Sequence, residues 1–443
     1  MDKQQLKTMA CEAIDKHAQN LHDFTLDVYK NPELGFKEFE TTKKTSAFLR
    51  KLGLEVEENI AITGCRANTG KKEGQPNICV MGELDSVVCV DHPDAGKDGA
   101  SHSCGHHIQL GAMLGSAVGL VESGVIEHLG GSVEFMAVPA EEFIEIDFRS
   151  KLIADGKIKY AGGKQELVAR GFFDHIDISM MMHSSSHEEP LKAVLGTTSN
   201  GFIGKKVNFI GREAHSGGAP HLGINALNAA TLALNNINAQ RETFKDEDHI
   251  RVHPIITKGG DIVNVVPADV KMETYVRGST IEGMKEANKK VNRSLKAGAM
   301  AVGARVEIQE IPGYLPLKSD NNLDELFKEN LLSFIKEEEI RMGGAMAGST
   351  DFGDLTQIMP GIHPMIGGVI GAAHTREFSM VDPNLAYIIP AKAFAMTVID
   401  LLYDDGSLAK SIIKEFKPSM TRDEYLKFLE DSSTINVYQF EEE

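Results

Sequence analysis

The feature that most constrains the fold is a change of rhythm in the middle of the chain. From 202 to 311 the apolar pattern reads strand, helix, strand, strand, helix, strand. The segments are FIGKKVNFIG (202–211), INALNAATLALNNINAQR (224–241), IRVHPIIT (250–257), DVKMETYVRG (269–278), a helix over 281–301 and ARVEIQEI (304–311). Apolar positions recur every second residue in the strands and at three to four in the helices. That order is the split βαβ pattern of a ferredoxin-like α+β domain.

On both sides of this block, strands alternate with helices one at a time. Helices are expected over 4–30 and 38–53, parted by Asn31-Pro32, and an amphipathic one over 106–124. NICVMGEL (77–84), SVEFMAVPA (132–140) and HIDISMMMH (175–183) read as strands, with GGKQELVARG (162–171) as a helix between the last two. After the block come a helix over 322–337, the apolar run IMPGIHPMIGGVI and a long helix near 385–403. This alternation predicts an α/β fold, a mixed and largely parallel sheet covered by helices. Residues 1–196 and 312–443 are therefore expected to form one discontinuous domain, with 197–311 inserted. The stretch 143–161 reads as a loop, and the tail 406–443 as a peripheral helix with a frayed end.

At 443 residues the chain is too long for one small core. Its net charge of −18, with no separate cluster of lysine or arginine, argues against nucleic acid or an anionic membrane surface as main partner. The N-terminus lacks the apolar stretch of a signal peptide, and no apolar run reaches the roughly 20 residues of a membrane span. Five cysteines (Cys11, Cys65, Cys79, Cys89, Cys104) form no framework spacing. That usage fits a reducing compartment, and the cytoplasm is the expectation.

The chemistry concentrates in SHSCGHH (101–107), where Cys104 and His106 flank a glycine ahead of a helix. Thiolate and imidazole are preferred zinc ligands, and the spacing lets both face one ion. Alone, the motif equally fits a reactive thiol beside its base or a histidine-rich surface loop. Support comes from elsewhere in the chain. Glu141 and Glu142 directly follow an expected strand, His183 ends another, and His374 follows the run ending at Ile370. In open α/β sheets, sites gather at the carboxyl ends of strands. Ligands from segments so far apart describe a catalytic site rather than a local zinc knuckle. Of the two adjacent acids, one can hold a metal while its neighbour takes a proton from attacking water. The plainer alternative is that they cap the next helix.

The motifs SHSCGHH, PAEE, MMHSS, GREAHSGGAPHLGINAL, NVVP, STDFG and GAAHTREF stand in this order over about residues 20–405. Together they resemble the metallopeptidase family of aminoacylases, auxin-conjugate hydrolases and aminobenzoyl-glutamate hydrolases. GINALNAATLALNNINAQR and GSTDFGDLTQIMPGIHP particularly resemble its aminobenzoyl-glutamate hydrolase branch, which includes a mammalian dipeptidase-like member. The resemblance implies two divalent ions, zinc or manganese, held by Cys104, His106, Glu142, His183 and His374, with Cys104 shared. It implies Glu141 as general base and Asp85 as the aspartate that orients ligands from behind. The inserted domain would be a lid and dimerisation domain. There His215 would reach across a homodimer to the oxyanion, while Asn264 and Arg277 bind a substrate carboxylate. The implied activity is hydrolysis of the amide in N-acyl or aminoacyl amino acids, aminobenzoyl-glutamate-like conjugates or dipeptides.

The chain departs from the family at three places. His107 stands where Asp or Asn is usual, Glu83 replaces an Asp or His, and 143–161 lengthens the connection after PAEE. Three other readings remain at this level: a peptidase acting on longer peptides, a non-catalytic binding protein of the same fold, and a cysteine hydrolase using Cys104 with His106.

Overall fold

The computed structural model describes residues 1–96 and 98–440. The chain divides into two compact units. The first comprises Met1–Thr198, Lys318–Ala345 and Asp354–Met420, the second Ser199–Leu317, Met346–Gly353 and the chain from Thr421 on.

The first unit is built on a six-stranded sheet in the order Val56–Ile60, Gly64–Asn68, Ser132–Val138, Asn77–Glu83, Ile178–Met180, Gly361–Ile362. The first two pairings are antiparallel and the remaining three parallel. Asn77–Glu83 and Ser132–Val138 are buried at every residue, as strands covered on both faces must be. Helices from both ends of the chain supply the cover, so Leu6, Ile14 and Leu21 share a core with Phe135 and Phe394.

The helix expected over 106–124 is not amphipathic. Every residue from His106 to Ala117 is buried, and the chain then widens into a looser turn over Val118–Glu122. The long C-terminal helix breaks at Tyr403–Gly406, where Asp404, Asp405 and Gly406 adopt positive φ. Among the described residues, Asn384–Glu415 is long and apolar enough to cross a membrane, but 94% of its apolar window is buried inside the protein. That is the property of a core helix.

In the second unit the central sheet runs Arg251–Val252, Asp269–Gly278, Gly201–Ile210, Arg305–Pro312, Thr434–Tyr438, and Ile255–Lys258 also pairs with Asp269–Gly278. All of these pairings are antiparallel. Helices Ala226–Gln240 and Ile281–Met300 pack with it in one core containing Ala229, Ala233, Val270, Met272, Val291 and Leu295. The strand order inside the inserted block is the ferredoxin-like one that its sequence rhythm predicts.

The tail differs from expectation. Arg422–Asp431 forms a helix, with Thr421 and Glu424 capping each other's backbone. Thr434–Tyr438 then pairs with Arg305–Pro312, in the second unit rather than at the rim of the first. The pairing satisfies backbone groups that an edge strand would leave open. Residues 441–443, where fraying is expected, lie outside the described residues.

Candidate metal centre

Three parallel strands of the first unit end at one edge of the sheet. Beyond Glu83 comes Asp85, beyond Val138 come Glu141 and Glu142, and beyond Met180 comes His183. Parallel pairing forces this convergence, because it aligns the carboxyl ends. Cys104 and His106 arrive from the start of the His106–Ala117 helix. Gly105 between them has φ +89°, and a Cβ there would stand 2.1 Å from Ser184 Oγ. Only glycine fits that left-handed turn and that approach.

Cys104 Sγ lies 3.4 Å from His183 Nε2 and 3.2 Å from His374 Nε2. His374 Nε2 is 2.9 Å from Glu142 Oε1, but the two are not aligned as a hydrogen bond, and this buried oxygen has no hydrogen-bond partner. His106 Nε2 is likewise buried without one, 3.2 Å from Glu83 Oε2 and 3.9 Å from Glu141 Oε2. A thiol, imidazoles and carboxylates crowded at this spacing, with buried polar atoms left unsatisfied among them, are what a cation site requires. The ligand atoms of Cys104, His106 and His183 lie within 4.8 Å of one another, as do those of Cys104, Glu142 and His374. The two groups share Cys104. A third such group is Glu83, His106 and Glu141.

Electrostatics fit the same chemistry. Burial pushes the Cys104 thiol well up, and Glu142 adds to the push. A divalent cation is what holds a thiolate in such a place. Burial works against charge on His106, yet Glu83, Cys104 and Asp85 raise it well above the usual imidazole range. Burial also opposes charge on Glu142, but its proximity to His374 wins and lowers it. Asp85 accepts from His106 Nδ1 at 3.0 Å with Oδ1 and from the Glu142 backbone N–H at 2.9 Å with Oδ2. One carboxylate thus orients a ligand from each group, turning His106 Nε2 inward.

The backbone is strained both just before the two acids and at His374. Ala140 has φ +54° and His374 φ +64°, left-handed conformations that residues with a Cβ rarely adopt. Glu38 Oε1 accepts the Ala140 N–H at 2.8 Å, and the Gly163 N–H donates to the Ala140 carbonyl at 3.2 Å. Burial, then the charge of Asp85, pushes the Glu38 carboxyl up to about 8.

Sequence reasoning missed Glu38, Lys164, Gln109 and His363. Lys164 is fully buried, with Nζ 2.5 Å from Glu83 Oε1, and Gln109 Nε2 donates to Glu83 Oε2 at 2.9 Å. The departure Glu83 is therefore compensated by a lysine 81 residues away. Gly162-Gly163-Lys164 in the sequence marked a helix start and gave no sign of this. His363 follows the Gly361–Ile362 strand, and its ring centroid lies 5.9 Å from that of His183. The departure His107 packs against His102 at 5.2 Å, and burial pushes it down to about 3, so it is neutral.

The remaining expected residues lie in the second unit. His215 is exposed, and its Nδ1 accepts the N–H groups of Gly217 and Gly218 at 3.2 and 2.9 Å. Asn264 is also exposed, and its carbonyl accepts the N–H of Ser216, while His215 bridges to Val265. These two candidates are thus brought together. Arg277 stands apart on the Asp269–Gly278 strand, over the rings of Phe202 and Tyr275, each 5.3 Å away, and donates to Ser349 Oγ at 2.8 Å.

Comparison with known proteins follows this division. Residues 197–301 match the M20 peptidase dimerisation domain. The Xaa-Arg dipeptidase of Homo sapiens is 28% identical over 96% of this chain and 95% of its own length. One chain of the p-aminobenzoyl-glutamate hydrolase of Escherichia coli is 24% identical over 70% of this chain and 62% of its own. Among solved structures, a dinuclear metal-binding peptidase from the M20 family of Bacillus subtilis superposes with a TM-score of 0.65 at 21% identity, covering 88% of this chain and 99% of the other. The chain is therefore similar over nearly its whole length to a dipeptidase and shares the fold of an M20 peptidase, and its residues 197–301 match the dimerisation domain of the peptidases that its motifs resemble.

Proposed function

We propose that this protein is a two-metal amidohydrolase that releases an amino acid from an N-acyl, aminobenzoyl or aminoacyl group. The observation that carries the reading is the pair of ligand groups joined by Cys104, with Glu141 beside them. Cys104, His106 and His183 would hold one ion, and Cys104, Glu142 and His374 the other. Thiolate, imidazole and carboxylate suit zinc or manganese. When bound, such ions polarise the attacking water and the scissile carbonyl.

The chain's own residues supply the rest. Glu141 takes a proton from the attacking water and passes it to the leaving amine. His215 donates to the developing oxyanion. Asn264 and Arg277 hold the substrate carboxylate, which suits the fixed fork of a guanidinium. The second unit acts as lid and dimerisation domain, and His215 acts across a homodimer. Two features support the dimer: the match to a peptidase dimerisation domain and the apolar side chains left exposed nearby. Leu222, Ile255, Ile262 and Val263 are all more than half exposed. Five free cysteines support a cytoplasmic setting.

The test is metal content measured together with hydrolysis. N-acyl amino acids, aminobenzoyl-glutamate and dipeptides are screened before and after chelation. Two ions per chain and activity lost on chelation and restored by Zn²⁺ or Mn²⁺ are expected. A metal-free protein whose activity ignores chelator would sink the proposal in favour of Cys104 as nucleophile.

A further inference from the structure

The stretch 143–161, expected as a loop, contains the helix Ile146–Ala154, and this helix buries a cation against the turn that carries Glu141 and Glu142. Arg149 is 1% exposed. Its Nη1 donates to the carbonyl of Ala161 at 2.6 Å and to that of Ala140 at 3.4 Å, and its Nη2 donates to the carbonyl of Glu142. The guanidinium lies 5.5 Å from the ring of Phe36 and 6.0 Å from that of Phe143. Space is reserved for it, since a Cβ on Gly35 would stand 2.6 Å from Nη2 and 3.0 Å from Ala140 Cα. Around it, Phe36, Ala140, Leu152 and Ile158 form a small core of their own.

We propose that Arg149 is a positioning residue that fixes the directions of Glu141 and Glu142 by gripping the backbone on either side of them. This rests on the reading of Glu141 as base and Glu142 as ligand. Ala140 is held in a left-handed conformation that relaxes unless its surroundings enforce it. Glu38 holds its N–H, while Gly163 and Arg149 hold its carbonyl. Arg149 alone of these also reaches the Glu142 carbonyl, so it locks both ends of the two-glutamate segment to the chain at Ala161. The two terminal nitrogens of one planar fork hold three carbonyls, which a single ammonium point cannot reproduce, while Nε has no hydrogen-bond partner among the described residues. The inserted segment is therefore a brace for the catalytic turn.

The test compares wild type, Arg149→Ala and Arg149→Lys as full-length proteins. For Arg149→Ala, kcat per folded molecule is expected to fall about 100-fold with KM little changed, since a small misplacement of reacting groups costs that much. Calorimetric titration of the metal-free variant with Mn²⁺ should show one of the two ions bound about tenfold more weakly. Millimolar guanidinium ion should restore much of the lost kcat, and ammonium should not. Arg149→Lys should lose less than alanine, and it gives the same readings if the alanine variant does not fold. Unchanged kcat and Mn²⁺ affinity in either folded variant would overturn the inference while leaving the functional reading intact. A wild type that neither binds Mn²⁺ nor hydrolyses any amide would overturn both.

Discussion

The two places where this chain keeps its chemistry-bearing side chains are built on opposite terms. In the first unit, Cys104, His106, Glu83, Asp85, Glu141 and Glu142 are all buried, and their directions are set by other buried groups. Asp85 turns His106, Lys164 and Gln109 hold Glu83, and strained backbone presents the acids. In the second unit, His215 and Asn264 are exposed on a loop pair, and Val263 beside them is 100% exposed. The buried cluster has its orientation prepaid by folding, which is what makes electrostatic catalysis effective. The exposed residues become strong donors only when something removes them from water. Damage to the groups that would hold or orient the ions in the first region should thus register in metal binding or stability as well as rate, whereas damage to the second region, or to a base that holds no ion, should register in rate alone.

The largest effect expected is that of Glu141→Gln. Loss of a positioned general base should lower kcat by about 10⁴-fold, while metal content stays at the wild-type value. Loss of metal along with activity would make Glu141 a ligand instead.

Next comes Lys164→Met, which leaves Glu83 as a buried charge without its ammonium partner. Breaking one side of such a pair costs about 3–5 kcal/mol, readable as a lower denaturant midpoint. Adding Glu83→Gln should recover much of that loss, and failure to recover would show that the pair is not the source.

His215→Ala should lower kcat by about 10²–10³-fold, as removal of an oxyanion donor does, with the melting temperature unmoved. A destabilised variant would place His215 among structural residues and weaken the contrast between the regions.

The last effect is a pH dependence of stability. In the folded protein Glu38 titrates at about 8, above its ordinary 4.5. Its stabilising contribution is therefore complete below the unfolded value and is lost as pH rises through the folded one. The melting temperature of wild type relative to Glu38→Gln should decline between about pH 4.5 and 8 and level off beyond. A difference that is flat across this window would mean that Glu38 stays ionised.

The chain also shows why its sequence reveals one region more readily than the other. Periodicity alone separated the inserted block from its surroundings, because strand and helix repeats depend on local spacing. The candidate metal cluster drew attention for a related reason. Cys104-Gly105-His106 and Glu141-Glu142 are local motifs at element ends, and parallel pairing carries such ends to one edge. The helix at 146–154 escaped notice because its residues show no clear apolar stripe. Its principal buried side chain is Arg149, whose partners are backbone carbonyls that have no side-chain signature.

By itself, then, the sequence determined the fold class, and it offered an inserted block and a set of residues that could hold metal, since these readings depend on periodicity and on chemically distinctive side chains at element ends. Tertiary structure alone decided that Lys164 neutralises Glu83, that Glu38 and Arg149 grip Ala140, and that the tail completes the second unit's sheet. Each of these joins groups far apart in the chain through a contact made by burial or backbone hydrogen bonding, and neither leaves a pattern in local sequence.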